Sequence, residues 1–394
     1  MNLSVKSLLQ RKTSGGNFIP EIDGLRFFAI FTVLIFHLNT AYSRELAIDW
    51  TEFLPTASFM NLGWWIVRMD LGVKVFFGIS GFILAVPFIL QYHYNGKIVS
   101  LKQYFIRRLT RLEPPFIITL VLFAGVHIYV LNEDPELIQS HFWASLFYLH
   151  TIIYEMPSII NPVTWSLETE VQFYVLIPFL SSLLFIKKSK KALTVLLVFF
   201  LIILSVWAKN YIYTNSTPGW DYTVFVFLSN FLTGFLFALT YLKFKSFFKI
   251  KSFGFDLLGL ISVFTLFYFY KPQSDMINNL IFNTSIYLLF ISTFKGKIFN
   301  KFFTTPIIYL IGGMCYTIYL IHYPFFHLMV KFSKHLLLSD SYMFNLSIQM
   351  LIGIPVAIVV SIVFFILVEK PCMDKDWPKK LWEFTKQSLG FSKN

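Results

Sequence analysis

Long apolar runs separated by short polar connectors organise this chain of 394 residues. Ten of them lie near 25–43, 71–92, 113–131, 166–186, 192–208, 223–242, 254–270, 277–294, 306–330 and 345–368. Each has, or nearly has, the roughly 20 residues an α-helix needs to cross the hydrocarbon of a bilayer. The runs at 192–208 and 254–270 are short. The pattern predicts an all-α polytopic membrane protein of about ten transmembrane helices. A membrane domain over 25–371 is then preceded by a segment at 1–24 and followed by a mostly polar tail at 372–394. That tail is too short to build a core of its own.

Composition agrees with the pattern. The chain is 56% hydrophobic and only 14% charged, where soluble domains carry about 25% charged residues. Its 48 phenylalanines read as lipid-facing and interhelical packing. The first twenty residues are polar and basic and lack the apolar core of a cleavable signal, so the first run is expected to be a retained span. Cys315 and Cys372 are far apart, one in a span and the other expected at the cytoplasmic end, which argues against a disulfide framework.

The net charge of +12 invites a nucleic-acid reading, but the basic residues cluster in alternate connectors. With the N-terminus inside, Lys6, Arg11, Lys12, the group from Lys97 to Arg111, Lys187 to Lys191, Lys243 to Lys251, Lys295 to Lys301 and the tail lysines all fall on one side. About 26 of the 33 Lys and Arg are then cytoplasmic. Both termini are expected in the cytoplasm. The outer connector at 132–165 is long and acidic. It carries an aromatic run from His141 to His150 that is expected to dip into the membrane or form a lid.

Ionisable residues inside spans mark function by default. Arg26 and His37 share the first run. Eleven residues apart, they return to within about 20° of one helix face, about 16 Å apart along the axis. An arginine at the rim with a histidine at depth suits an anionic ligand that enters from one side and reacts inside. A neutral imidazole can take a proton from a hydroxyl; the structural alternative is a histidine bonded to a neighbouring helix. Arg108 and Arg111, at i and i+3, share a face before the third run and suit phosphate contacts, although a topological anchor would look the same. Glu168 and Glu170 open the fourth run and diverge by about 200°. Glu168 suits the helix N-terminus, and Glu170, with Tyr174 one turn on, is the better inward-facing acid. Tyr319 and His322 lie before Tyr323-Pro324 in the ninth run, where His322 and Tyr323 could instead satisfy a proline kink. In the second run, Gly78 and Gly81 are spaced for close helix contact, with Ser80 between them to hydrogen-bond across helices. Lys74 is placed to snorkel to the outer boundary.

Taken in order, these segments resemble the acyltransferase 3 family of integral-membrane O-acyltransferases. The resemblance runs from about residue 20 to 371. It rests on Ile19-Pro-Glu-Ile-Asp-Gly-Leu-Arg26 through His37, Val75 to Phe82, Arg108-Leu-Thr-Arg111, Trp165-Ser-Leu-Glu-Thr-Glu170 with Gln172-Phe-Tyr174, Tyr316 to His322, and Glu369-Lys-Pro371. Two departures stand out: Glu113 before Pro114, where an apolar residue is frequent, and Val171, where a second glutamate is frequent. The resemblance implies transfer of an acyl group, commonly acetyl, from cytoplasmic acyl-CoA (acetyl-CoA) to a hydroxyl of a carbohydrate or glycosylated acceptor. It further implies a multi-pass protein of a bacterial plasma membrane. Some relatives carry an extracytoplasmic hydrolase-like domain, so a separate extracytoplasmic partner is an open expectation. In this scheme His37 and Glu170 are catalytic, and Arg26, Arg108 and Arg111 hold the CoA phosphates. Ser80, Tyr174, Tyr319 and His322 line the pocket, and no metal is expected. Glu170 would orient His37 or handle an acceptor proton. The rival readings are a secondary transporter or a glycan polymerase using the same charged residues; transporters often carry inverted repeats, and none is visible here.

Overall fold

The computed structural model describes residues 3–12, 18–49, 56–185, 191–215, 219–271, 275–335, 338–374 and 376–388. Lys187, Lys188, Lys190, Lys375 and Lys393, used above for topology, lie outside them. A short helix α1 (Leu3–Leu9) precedes α2 (Pro20–Leu46). Helix α3 (Leu62–Ile66) leads into α4 (Leu71–His93), and α5 (Leu101–Tyr129) follows. The long connector folds as α6 (Pro135–Leu146) and α7 (His150–Tyr154) before α8 (Trp165–Leu184). Next come α9 (Lys191–Thr214), α10 (Val224–Lys243), α11 (Gly254–Phe269) and α12 (Met276–Lys295). The chain closes with α13 (Ile298–Phe303), α14 (Pro306–Gly313), α15 (Cys315–Ser333), α16 (Tyr342–Phe364) and α17 (Trp377–Ser388).

Among the described residues, 8 helices are long and apolar enough to cross a membrane, and the bent pair α14–α15 makes a ninth. The run at 254–270 gives α11, whose 16 residues reach only about 24 Å against a core of about 30 Å. It is an apolar helix too short for an untilted span. The run at 192–208, which looked short, extends to the 24 residues of α9.

Helices α4 and α10 form the tightest seam. A Cβ on Gly81 would fall 1.9 Å from the Phe231 carbonyl oxygen, and one on Gly234 1.8 Å from that of Gly78. With only hydrogens there, the two backbones touch, as small residues allow in membranes. Phe231 then stacks between Phe77 and Phe173, with ring centres 4.7 and 4.0 Å away.

Prolines inside helices supply a second kind of lock. A proline removes the N–H that would bind the carbonyl four residues earlier, and in a membrane that carbonyl needs another donor. Pro114 frees Thr110, whose oxygen accepts from the Trp377 indole at 2.9 Å. Pro178 frees Tyr174, whose oxygen accepts from the Tyr104 hydroxyl at 3.2 Å. Pro324 frees Leu320, whose oxygen accepts from Asn161 Nδ2 at 2.9 Å. The ninth run therefore differs from expectation. Helix α15 continues through Pro324, and the 71° bend falls between α14 and α15. There Gly312 packs so closely on α2 that a Cβ would lie 1.8 Å from the Asp23 carbonyl oxygen. His322 and Tyr323 are not needed to satisfy the proline.

The aromatic run caps α5 and α8. Tyr148 stacks on Phe116 at 5.1 Å and donates to Glu113 Oε1 at 3.0 Å, so the glutamate that departs from the family pattern has a partner. Buried Glu168 accepts from the Thr151 amide at 2.9 Å and its hydroxyl at 2.7 Å, which ties the connector to α8.

Candidate active site

Helix α2 runs unbroken from Pro20 to Leu46 and carries both Arg26 and His37. His37 meets His322 of α15, with Nδ1 to Nε2 at 2.8 Å. His322 Nδ1 is 2.9 Å from the carbonyl oxygens of both Ile318 and Tyr319. Carbonyls only accept, so that nitrogen carries the hydrogen, and Nε2 of a neutral imidazole is then an acceptor. His37 Nδ1 must donate to it. The lone pair of His37 Nε2 is left for a reacting group. His322 thus sets the tautomer of His37, as the orienting partner does in other histidine sites. The ring of Tyr323 stands edge-on to His37 at 5.2 Å.

Toward the N-terminal end of α2, one buried carboxylate holds two arginines. Asp23 accepts from Arg26 Nη1 at 2.7 Å, and Arg11 Nε lies 2.9 and 2.8 Å from its two oxygens. Burial and then repulsion from Arg26 pull the Arg11 proton affinity down to about 10, against the opposing pull of Asp23. Arg108 lies over the Tyr104 ring at 3.5 Å and faces that of Tyr174 at 5.2 Å, a stacking that planar guanidinium favours. Arg111 Nη2 is 3.8 Å from Glu369 Oε1. The other Glu369 oxygen accepts from the Thr317 amide at 3.2 Å and its hydroxyl at 2.5 Å. Glu369 closes a single π-helical turn, Phe365–Glu369; such turns re-aim side chains and recur at functional sites.

Glu170 accepts from Ser80 Oγ at 2.5 Å. It interacts electrostatically with Arg26, Arg108, Tyr174 and Tyr319. Tyr319 donates to the Val163 carbonyl at 2.5 Å and accepts from Ser166 at 3.1 Å. Glu168 and Glu170 face different neighbours, as their angular divergence requires. The expected contact between Glu170 and His37 is not what the structure records: histidine meets histidine, and the glutamate meets Ser80, Tyr174 and the arginines. Guanidiniums at Arg11, Arg26, Arg108 and Arg111 stand against carboxylates at Asp23, Glu170 and Glu369. One positive charge is left over, which suits an anionic ligand. In the sequence Arg11 reads as a topology signal; it lies before α2, so no helical period relates it to Asp23. No group of three His, Cys, Asp or Glu converges to hold a metal among the described residues. Cys315 and Cys372 are both free thiols.

A polytopic helical membrane protein with a tautomer-locked histidine inside and an arginine cluster toward one end is the class these features define. The family described as an acyltransferase domain matches residues 19–367, and the chain belongs to that family. O-acetyltransferase OatA of Staphylococcus aureus (strain NCTC 8325 / PS 47) is 27% identical over 330 residues, which cover 78% of this chain and 50% of the relative. The OatA proteins of strains COL and MRSA252 match equally. The chain thus spans about half the length of the curated relatives it matches. No solved structure matches it.

Proposed function

We propose that this chain is a membrane O-acyltransferase that moves an acetyl group from acetyl-CoA to a hydroxyl of a carbohydrate or glycosylated acceptor. The observation that carries the reading is the His37–His322 pair. It leaves His37 Nε2 with a free lone pair, on the helix whose Arg26 belongs to an arginine cluster with surplus positive charge. The CoA phosphates would bind Arg11, Arg26, Arg108 and Arg111 from the cytoplasm, with the thioester extended toward His37. His37 Nε2 takes the acceptor hydroxyl proton as the oxygen attacks the thioester carbonyl. The new C–O bond forms, the C–S bond breaks, and the proton passes to the departing CoA thiolate. An acyl-His37 intermediate is the covalent variant of the same step. Glu170 helps hold the arginine end, with Ser80, Tyr174 and Tyr319 around it. We place the protein in the plasma membrane with both termini cytoplasmic, on the charge asymmetry of its connectors. An extracytoplasmic partner would complete the transfer if the acceptor lies beyond reach of the bundle.

The test incubates membranes containing wild type or His37→Ala with acetyl-labelled acetyl-CoA and a crude surface-glycan fraction. Label reaching glycan in wild type and lost in the variant at matched expression is the expected result. Equal label in both would remove His37 from the chemistry. Proteoliposome uptake of a glycan without acetyl-CoA turnover would replace the enzyme reading with transport.

A further inference from the structure

A second set of charges is enclosed by α4, α9, α11 and α12, away from the arginines. Lys74 Nζ is 2.9 Å from Asp70 Oδ2 and 2.5 Å from the Tyr270 hydroxyl. Tyr270 also donates to Asp70. That carboxylate is therefore committed. Lys209 places its ammonium 2.7 Å from the side-chain oxygen of Asn279, a neutral acceptor, and is repelled by Lys74. Two ammoniums share one carboxylate, beside a Tyr270 ring that packs 5.4 Å from Phe282. Asp70 attracts Lys209 as well, so the set holds one positive charge in excess, and such a charge inside a bundle is costly and persists where it serves a ligand.

The position of the set gives it a role. A Cβ on Gly72 would touch the Ala29 carbonyl and the Thr32 hydroxyl, so α4 crosses α2 between Arg26 and His37. Lys74 lies within electrostatic reach of His37. It does not snorkel to the boundary as the sequence suggested, because Asp70 and Tyr270 hold it within the bundle. The side chains of Lys74 and Asp70 are still 13% and 26% exposed, so the bundle does not seal them in. Lys209 and Tyr270 lie at the ends of α9 and α11, and Asn279 near the start of α12. These helix ends share one side of the bundle. We propose that Lys74 and Lys209 form an anion subsite that binds a carboxylate or phosphate carried by the acceptor as its hydroxyl approaches His37. This rests on the acyl-transfer reading above and adds the chemical class of its acceptor.

The test uses the purified full chain in nanodiscs with three probes: an oligouronate, a phosphorylated oligosaccharide and a neutral oligosaccharide of similar length. Two quantities are read, the rise in Tm on adding each probe and acetyl transfer to each. The acidic probes are expected to raise Tm and the neutral one not. Lys209→Gln should cut the ratio of acidic to neutral affinity about tenfold, the size of one charge-assisted contact, and Lys209→Arg should restore it. Whichever of uronate or phosphate responds identifies the anion. Equal response to acidic and neutral probes, or an acidic response unchanged in folded Lys209→Gln, overturns the subsite. Acidic binding through Lys209 without any acetyl transfer would keep the subsite and remove the transfer reading.

Discussion

Two histidine pairs in this molecule share one bonding pattern and differ in everything around it. In His37–His322 and in His141–His150, Nδ1 of the first ring meets Nε2 of the second, at 2.8 and 2.6 Å. In each, Nδ1 of the second ring is spent on a backbone carbonyl: Ile318 and Tyr319 for His322, Met156 for His150. Both pairs therefore fix the same tautomer in the first histidine. Yet His141 and His150 are buried, and the Tyr154 ring stacks on His141 at 4.1 Å. That pair joins α6 to the start of α7 across nine residues. His37 is only half-buried, and its pair joins α2 to α15 across 285 residues. A locked tautomer prepares a lone pair, and access decides whether the lone pair does chemistry or only holds a loop.

Substitutions at the two pairs should have unequal effects. His37→Ala should lower acetyl transfer about a thousandfold, the range for loss of a positioned general base. His141→Phe should leave turnover within about twofold while lowering Tm, since that pair is structural by this reasoning. A side-by-side assay at matched expression checks both, and equal losses would mean that access does not separate the pairs.

Acid should then find the outer pair. Burial, with His141 adding to it, pushes the His150 proton affinity down to about 4, below the unfolded value of about 6.5. The unfolded chain binds the proton more readily, so this stability is whole above pH 6.5 and drains away as pH falls toward 4. The full swing is on the order of 3 kcal/mol. Tm measured across that window should fall in wild type and flatten in His150→Gln.

Smaller effects sharpen the inner pair. His322→Gln keeps an acceptor for His37 Nδ1 and should lose less than about tenfold in kcat. His322→Leu, without one, should lose that or more, the worth of a hydrogen bond. Similar rates in the two variants would deny His322 its orienting part. Arg11→Gln should raise the KM for acetyl-CoA severalfold and leave the acceptor KM unchanged, because one cation of the cluster is lost. Titration of each substrate separately decides that.

Much of the fold was legible because apolar length is read directly from composition. Nine of the ten runs became one helix each, the run at 306–330 became the bent pair α14–α15, and the weak signal at 254–270 became the helix too short to cross untilted. Interior glycines were legible for the same local reason: Gly81 can be seen to lack a side chain before its partner Phe231 is known. What sequence could not reveal depended on contacts across hundreds of residues. Pro324 looked like a break because its freed carbonyl had no visible donor, and Asn161 supplies one from another segment. His322 was visible as an intramembrane histidine, but its role needed the carbonyl freed by Pro324 to find its donor elsewhere. Arg11 looked like any basic residue ahead of a first span, and only the fold brings it to Asp23.

The indole of Trp377 reaches the Thr110 carbonyl across 267 residues of chain, and that separation bears on biogenesis. Helix α5 leaves the ribosome early, with Pro114 already in place and one backbone oxygen unanswered. Its donor belongs to α17, which is synthesised long after it. Until α17 arrives, α5 must keep that oxygen near water at the membrane edge. The arrival of α17 is then a mechanical event, in which a late amphipathic segment fastens a helix made well before it.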